Sequence, residues 1–434
     1  MGDYVTDYEK ICDFQNLYKA HINARKGKRS KTEVIKFELD LAKNLTQMHK
    51  ALVNKSYKMR GYYHFTIHEP KTREIFAAYY PDRVLLHCIC DEILLPLLQK
   101  RVIHDNAACQ LGKGTHFAMK RLTGFMQEHF KAHGADGYIL KCDISKYFAS
   151  IDQAVLKARL NKIIVDKDIK DLLFHYINSY ATEGRPGKGL PLGNQSSQWF
   201  AVYYLDPVDR LIKEKLRIRH YSRYMDDLIL LHPDKEFLKD ALTHLRSVVE
   251  GELKLTLNEK TQIFPLRNGV EFLGWRFYLT DTGKVIRKLK AQSKLRYKRR
   301  LMKLQKDYFT GAIELEDVKN SLASYQGHLM HGHTYKLKAH VLKEFILKKT
   351  GILSGIPIEL SQTKCRGAFQ RLTQKECSPK KTPKGAALMT AVKRPAPQMI
   401  FLYKSICALL ALIFLCSAVV SGTMAWRMNP QSLR

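Results

Sequence analysis

The stretch that decides the fold is HYSRYMDDLILLH, residues 220–232. Two short apolar runs, at 221–224 and 228–231, flank an acidic pair, Asp226 and Asp227. Two strand-like runs joined by a tight turn are typical of a β-hairpin, so the pattern predicts a hairpin with both acids at its tip. The pair also has an ordinary explanation, because acidic residues are good turn residues.

A further acid follows another short apolar run. Residues 137–143 read GYILKCD, which is typical of a buried strand that ends at Asp143. Neighbouring carboxylates in a half-buried place repel one another and are costly to leave unpaired, so a positive partner is expected. Mg²⁺ prefers oxygen ligands, and two such ions about 4 Å apart assist phosphoryl transfer. The sequence therefore favours divalent metal as that partner.

Composition indicates the class of partner. The 434 residues include 73 Lys and Arg against 41 Asp and Glu, a formal net charge of +32. Such an excess is more than solubility requires and predicts a polyanionic ligand such as nucleic acid. Nine cysteines without a recurring spacing disfavour a secreted disulfide scaffold. The N-terminus has acids and no apolar core, so the sequence predicts a cytoplasmic protein.

Helical periodicity alternates with short strand-like runs, which predicts an α+β fold. Before residue 137 the predicted helices lie at 31–54, 82–98 and 115–130, and the predicted strand lies at 62–67.

Three motifs together resemble a known family. YMDD between apolar strands is preceded by DISKYF at 143–148 and by GLPLGNQSSQ at 189–198. In this order they resemble the palm motifs of reverse transcriptases, and the resemblance covers residues 15–345. It implies a right-hand polymerase with fingers, a ferredoxin-like palm and a helical thumb, which synthesises DNA on an RNA template from a primer and dNTPs.

The resemblance also implies domain boundaries. We expect fingers and N-terminal helices over 1–136 and a palm over 137–282. Within the palm, residues 150–190 form a helical insertion between fingers and palm. The thumb follows over 283–350, and a basic linker over 351–404.

Roles at the metal site follow from the same resemblance. Asp143 and Asp226 would bind two Mg²⁺ ions, supported by Asp227, and Ile144 belongs to the expected metal-binding set. Phe148 matches the aromatic steric gate that favours deoxynucleotides. The alternative for Phe148 is an ordinary core aromatic.

Basic residues on either side of the palm motifs match substrate-binding positions. Lys71 and Arg73, in the stretch that resembles the fingers, would grip the triphosphate, since arginine offers two parallel hydrogen bonds to phosphate. Lys260 matches the lysine that protonates the pyrophosphate leaving group. The alternative for all three is a solvated surface cation.

One motif departs from most of the superfamily. The usual Gln-Gly and Ser-Pro are replaced by Leu192-Gly193 and Ser197-Gln198. This variant resembles diversity-generating retroelement enzymes, in which Leu192, Gly193 and Gln198 would contact the nucleotide and template, and copying is error-prone at template adenines. Loss of the amide side chain removes hydrogen bonds that hold the nucleotide in register. A small basic accessory protein would be a partner. The alternatives are a bacterial anti-phage defence reverse transcriptase and a maturase-like RNA-binding protein.

The stretch 284–306 contains 11 basic residues and no acid, with leucines at 289, 295, 301 and 304. Helical winding would turn these leucines inward and the cations toward nucleic acid, where phosphate contacts release counterions. The alternative is a general basic surface.

The C-terminal region contains an apolar stretch. Residues 405–426 carry no charge and are long enough to cross a bilayer of about 30 Å. Basic residues before the stretch predict a transmembrane helix that tethers the domain to the inner face of the cell membrane. The alternatives are a packed helix and a cloning or frameshift artefact.

Overall fold

The structure is a computed structural model that describes residues 6–68, 71–343 and 345–347, together with two short strands at 352–353 and 356–357. The chain divides into two compact units, Met1–Ile358 and Glu359–Arg434. The second unit, with the expected transmembrane stretch at 405–426 and most of the basic linker, lies outside the described residues. No helix in the described part of the chain has the length and apolar character needed to cross a membrane.

Helices form most of the described structure. In chain order they are α1 (Asp7–Cys12), α2 (Phe14–Ala24), α3 (Thr32–Leu39), α4 (Leu41–Val53), α5 (Tyr80–Ile89), α6 (Leu95–Gln99), α7 (Thr115–His133), α8 (Tyr147–Ser150), α9 (Gln153–Asn161), α10 (Lys167–Asn178), α11 (Gln195–Tyr204), α12 (Asp206–Arg210), α13 (Lys235–Arg246), α14 (Ala291–Phe309), α15 (Leu315–Leu329) and α16 (Tyr335–Lys343). Turns of π-helix at Cys90–Leu94, Leu211–Lys215 and Ser247–Glu252 continue α5, α12 and α13, and a 3₁₀ turn lies at Leu266–Asn268.

The strands are short and antiparallel. They are β1 (Tyr62–Ile67), β2 (Arg73–Ala78), β3 (Tyr138–Cys142), β4 (Tyr221–Tyr224), β5 (Asp227–His232), β6 (Gln262–Pro265), β7 (Val270–Phe272), β8 (Trp275–Leu279), β9 (Val285–Leu289), β10 (Ile352–Leu353) and β11 (Ile356–Pro357). The fold is thus α+β, and the hairpin predicted from residues 221–231 is confirmed.

Two predicted helices differ from the observed elements. The helix expected over 31–54 is divided into α3 and α4 at Asp40, whose φ of −120° and ψ of 40° are not helical. The stretch 284–306 begins with β9, which pairs with β8 along its whole length, so only its later part is helical. Leu295, expected to face inward, is 58% exposed, whereas Leu301 on the same helix is 3% exposed. Only one side of α14 is therefore packed.

One four-stranded sheet, ordered β4-β5-β3-β6, organises the middle of the chain. Side chains alternate across β5. Leu228 and Leu230 enter one hydrophobic core, while Ile229 and Leu231 enter another. Each fully buried aliphatic side chain contributes about 1.5–3 kcal/mol. Burial on both faces explains why this strand is a continuous apolar run rather than an alternating one.

Two smaller sheets flank this one in the chain. A two-stranded hairpin, β1–β2, precedes it, and we call this hairpin with its connecting turn the basic hairpin (residues 62–78). A three-stranded sheet, β7-β8-β9, follows it and leads into α14. The carbonyl of Glu271 in β7 accepts a 2.7 Å hydrogen bond from Lys141 in β3, which ties the two sheets together.

Candidate active site

Strand register brings the separate acids together. β3 runs antiparallel to β5 with Cys142 opposite Leu228. Asp143 is the next residue after β3 and Asp227 is the first residue of β5, so both lie at the same end of the sheet. Asp226 immediately precedes Asp227 in the turn. Residues 84 positions apart in the chain are therefore neighbours because two short strands pair in this register.

The turn of the acidic hairpin (residues 221–232) consists of Met225 and Asp226. Met225 has a φ of +55°, as a two-residue hairpin turn needs in order to match the twist of its strands. Methionine has no intrinsic preference for that conformation, so the surrounding structure must hold it there. The turn places Asp226, which is half-buried, at the tip of the hairpin, as the sequence predicted.

Asp227 is a carboxylate with an incomplete set of partners. Burial raises its pKa to about 6, the charge and hydrogen bond of Lys141 oppose the shift, and Asp143 and Asp226 reinforce it. The Lys141 ammonium lies 3.4 Å from Asp227 Oδ1. That oxygen is buried, and apart from this long contact with Lys141 it has no hydrogen-bond partner among the described residues. This Asp227 oxygen is therefore available to bind a cation.

We predict that removing this charge stabilises the metal-free protein. The folded-state pKa of about 6 lies above the usual 3.8, so the penalty for ionisation appears as the pH rises from about 4 to above 6. In EDTA, Asp227→Asn should match the wild type below about pH 4 and exceed its free energy of unfolding by about 1–3 kcal/mol at pH 8. Denaturant titrations at several pH values measure this difference. Exposed Asp240 supplies the control, Asp240→Asn, and a pH-independent difference for Asp227→Asn would contradict the prediction.

The Asp226 carboxylate interacts electrostatically with charged groups at the end of the sheet and on the basic hairpin. Burial raises its pKa, and the charge of Asp143 adds to the increase. Arg73 and Lys71 act in the opposite direction. The two cations, which are exposed at the end of the basic hairpin, therefore lie within electrostatic reach of Asp226. The space between these groups combines cations with carboxylates, as a metal-bound triphosphate requires.

The segment 192–194 joins the basic hairpin to the rest of the site. The amide of Phe76 in β2 donates a 2.8 Å hydrogen bond to the carbonyl of Leu192. Asn194, which is 1% exposed, accepts a 2.8 Å bond from the amide of Ala78 and donates a 2.9 Å bond to the carbonyl of Phe76. Sequence reasoning missed Asn194, whose role depends on contacts more than 100 residues away.

Gly193 lies in close approach to the same strand. Its φ is +117°, and a Cβ added there would stand 2.9 Å from Cγ2 of Ile75 and 3.6 Å from Cα of Ala77. Both the backbone conformation and the available space therefore favour glycine at this position. Leu192 is half-buried, while Gln198 on α11 is exposed and accepts a 3.6 Å hydrogen bond from the thiol of Cys109.

Two further predicted residues, Ile144 and Phe148, follow Asp143 in the chain. Ile144 is buried and forms an isolated bridge with Leu257. Phe148, on the short helix α8, is partly buried and packs against the first hydrophobic core, as an ordinary core aromatic would. Its ring is 5.7 Å from that of Tyr147.

Lys260 is exposed in a turn that is fastened to Asp143. The amide of Asn258 donates a 2.8 Å hydrogen bond to the carbonyl of Asp143, and the amide of Lys260 donates a 3.0 Å bond to Oδ1 of Asn258. Thr261 Oγ1 lies 3.4 Å from both the amide nitrogen and the carbonyl oxygen of Asp143. The backbone of this turn is thus held next to the acidic end of the sheet.

The donor set fits a divalent cation that arrives with its substrate. Among the described residues, no group of three or more His, Cys, Asp and Glu side chains has metal-binding geometry, so the three aspartates do not form a closed cage. Mg²⁺ does not need one, because it is usually held by one or two carboxylates together with water and substrate phosphates. The orphaned, buried oxygen of Asp227 and the coupled charges of Asp143 and Asp226 agree with such a partly open site.

Carboxylates at the end of an antiparallel sheet, with cations within electrostatic reach, are an arrangement suited to metal-assisted nucleotidyl transfer. Residues 85–277 match the family model described as reverse transcriptase (RNA-dependent DNA polymerase). These matched residues are therefore a reverse transcriptase domain, that is, an RNA-directed DNA polymerase domain. Binding of template and primer, and catalysis with divalent metal, are typical of this family.

Solved structures give a weaker likeness. One is apo telomerase from Candida tropicalis truncated from the C-terminal domain, at 16% identity and a TM-score of 0.41, covering 53% of this chain and 55% of that chain. Another is telomerase from Candida albicans in complex with a fragment of telomeric RNA, at 12% identity and a TM-score of 0.41, covering 60% and 55%. The chain thus spans about half the length of these structures. No curated protein matches the chain.

Proposed function

We propose that the whole protein copies an RNA template into DNA by nucleotidyl transfer. The observation that carries this proposal is the approach of Asp143 to the acidic hairpin, with the cations of the basic hairpin in electrostatic reach of Asp226. The reaction joins the primer 3′-hydroxyl to the α-phosphate of a dNTP and releases pyrophosphate.

Two Mg²⁺ ions held by Asp143, Asp226 and Asp227, with the backbone at Ile144, would supply Lewis-acid activation of the phosphate and charge stabilisation. The chain's own residues orient the substrate. Lys141 limits the negative charge that Asp227 adds to the site.

Flanking residues would hold the rest of the nucleotide. Lys71 and Arg73 would bind the β- and γ-phosphates, since both are exposed and interact with Asp226 across the site. Phe148, five residues after Asp143 in the chain, would crowd a ribose 2′-hydroxyl. Lys260, in the turn fastened to Asp143, would deliver a proton to pyrophosphate.

Primer extension tests the proposal. Purified full-length protein should extend a DNA primer on an RNA template with dNTPs and Mg²⁺, and omission of Mg²⁺ should abolish the product. Failure with every primer and template pair, with Mn²⁺ as well as Mg²⁺, would reject the function.

Within this function we propose error-prone copying of template adenines, as in a diversity-generating retroelement. The support is Leu192, whose apolar side chain offers no hydrogen bond to a base pair. Its backbone carbonyl already accepts a hydrogen bond from the amide of Phe76. A small basic accessory protein would be a partner in this reaction.

We predict that Leu192→Gln lowers misincorporation opposite template adenine by about tenfold, equivalent to about 1.4 kcal/mol of added discrimination. The matched control is Leu192→Met, which keeps an apolar side chain and should keep the wild-type error pattern. Sequencing cDNA made on a template of defined sequence measures both. A wild-type error rate at adenine equal to that at the other bases would contradict the proposal.

Two alternatives make different demands on the same chain. A defence role would make use of the apolar stretch at 405–426 as a membrane tether at the cytoplasmic face. A maturase-like role would need only the basic surface of α14 and not the aspartates. An Asp226→Ala, Asp227→Ala double variant that kept the biological effect would favour the maturase-like role over DNA synthesis.

A further inference from the structure

We propose that Arg223 is a positioning residue that fixes the turn of the acidic hairpin and, through it, the direction of Asp226. The inference rests on the proposed function, because the direction of Asp226 matters only if the acidic hairpin binds metal and nucleotide. Its evidence comes from contacts beneath the turn, which the sequence motif does not include.

Arg223 is a fully buried charge with a fully buried partner. It is 0% exposed and Asp209 is 1% exposed. The Nε of Arg223 donates a 2.8 Å hydrogen bond to Oδ1 of Asp209, and Nη2 donates to Oδ2. The hydroxyl of Tyr221 donates a 2.7 Å bond to the same Oδ1. This pairing neutralises the guanidinium and fixes its plane.

The guanidinium of Arg223 also donates to two backbone carbonyls, one of which lies in the turn. Nη1 donates a 3.1 Å hydrogen bond to the carbonyl oxygen of Met225, and Nη2 donates a 3.1 Å bond to the carbonyl of Val202 on α11. The Met225 carbonyl belongs to the peptide that joins Met225 to Asp226. Its orientation therefore sets the direction in which the backbone of Asp226 leaves the turn.

The turn needs such support. A non-glycine residue in the left-handed region, as Met225 is with its φ of +55°, is strained and persists only when its surroundings hold it there. The hydrogen bond from Arg223 holds the carbonyl of that residue. Without it, the peptide between Met225 and Asp226 is free to rotate toward a less strained turn, and the Asp226 carboxylate moves with it.

Stability alone does not account for the pair. A buried ion pair can often be replaced by apolar residues of similar volume without loss of stability, whereas removal of one partner is strongly destabilising. An apolar pair would fill the space around Arg223 and Asp209 but leave the Met225 carbonyl without its donor. The Val202 carbonyl and the Tyr221 hydroxyl would also lose their partners, which lowers stability but does not act on the turn. This difference separates a positioning role from a structural one.

The test is the double variant Arg223→Met, Asp209→Leu, with Arg25→Met, Glu38→Leu, a partly exposed ion pair, as a control for the loss of such a pair elsewhere in the fold. Arg25 and Glu38 form an ion pair between α2 and α3, away from the acidic hairpin. Both variants are compared with the wild type in thermal unfolding, in Mn²⁺ binding followed by electron paramagnetic resonance, and in primer extension.

We expect the control variant to unfold within about 4 °C of the wild type. The Arg223 variant should still fold but unfold about 10 °C lower, because the Val202 carbonyl and the Tyr221 hydroxyl also lose their partners. The Arg223 variant alone should bind Mn²⁺ about tenfold more weakly, since residues that support metal ligands are typically worth 10–100-fold in affinity. Its kcat should fall about 100-fold, because a misplacement of about 1 Å has that effect. Wild-type Mn²⁺ affinity and kcat in this variant would overturn the inference.

Arg223→Lys covers the case in which the double variant does not fold. Lysine keeps the charge beside Asp209 but has a single ammonium, which cannot serve Asp209 and both carbonyls in the same geometry. Folded Arg223→Lys with wild-type Mn²⁺ affinity and kcat would also overturn the inference. A wild type that binds Mn²⁺ but extends no primer would reject the proposed function instead, and the Mn²⁺ affinities would still decide the role of Arg223.

Discussion

Asp226→Asn is expected to lower the rate of primer extension by about 10³-fold or more, because metal charge stabilisation contributes several kcal/mol and each 1.36 kcal/mol is tenfold in rate. Asparagine has the shape of aspartate but lacks the charge that would hold the cation. It also removes a half-buried charge that repels Asp143, so the metal-free variant should be at least as stable as the wild type. Loss of activity therefore would not come from unfolding.

Single-nucleotide extension at saturating dNTP measures this rate. Asp240→Asn is the matched control, because Asp240 is an exposed aspartate on α13, and it should keep the wild-type rate. More than about a tenth of wild-type activity in Asp226→Asn would contradict the assignment of Asp226 to the metal, since one tenth corresponds to only about 1.4 kcal/mol.

Gly193→Ala should lower kcat/KM for the dNTP by about 10- to 100-fold, because a displacement of about 1 Å near the reacting groups has an effect of this size. The added Cβ would stand 2.9 Å from Cγ2 of Ile75, and the φ of +117° is unfavourable for alanine. Either Ile75 or the segment 192–194 must move. Ile75 lies in β2, and the segment 192–194 is hydrogen-bonded to that strand. A shift of either one would therefore move the basic hairpin, which carries Lys71 and Arg73.

Gly184→Ala is the matched control. Gly184 also has a positive φ, +67°, but an added Cβ would meet nothing within 4 Å. This variant should lose about 1 kcal/mol of stability from backbone strain and keep its kcat/KM for the dNTP. Steady-state kinetics across dNTP concentrations compare the two. Equal kinetic effects of both substitutions would contradict a role for the contact at Ile75.

Local sequence patterns determined much of the fold. The acidic hairpin, the strand before Asp143 and the hairpin strand at 62–67 were predicted because an alternating or continuous apolar run next to a turn is a short-range signal. The same local reasoning was wrong where long-range packing decided the outcome. β9 forms because β8 offers it a partner, and Leu295 is exposed because α14 is packed on one side only.

The sequence by itself determined which residues we propose for the chemistry: three aspartates, a basic pair and a glycine in recognisable motifs. It also determined the excess of positive charge that predicts a nucleic-acid partner. Only the tertiary structure decided how those residues are held. The register of β3 against β5 and the hydrogen bonds between Asn194 and β2 join residues far apart in the chain. The hydrogen bond from Arg223 to the Met225 carbonyl comes from a side chain buried beneath the turn. Such contacts depend on which surfaces pack together, and that is a property of the folded chain as a whole rather than of any short stretch of it.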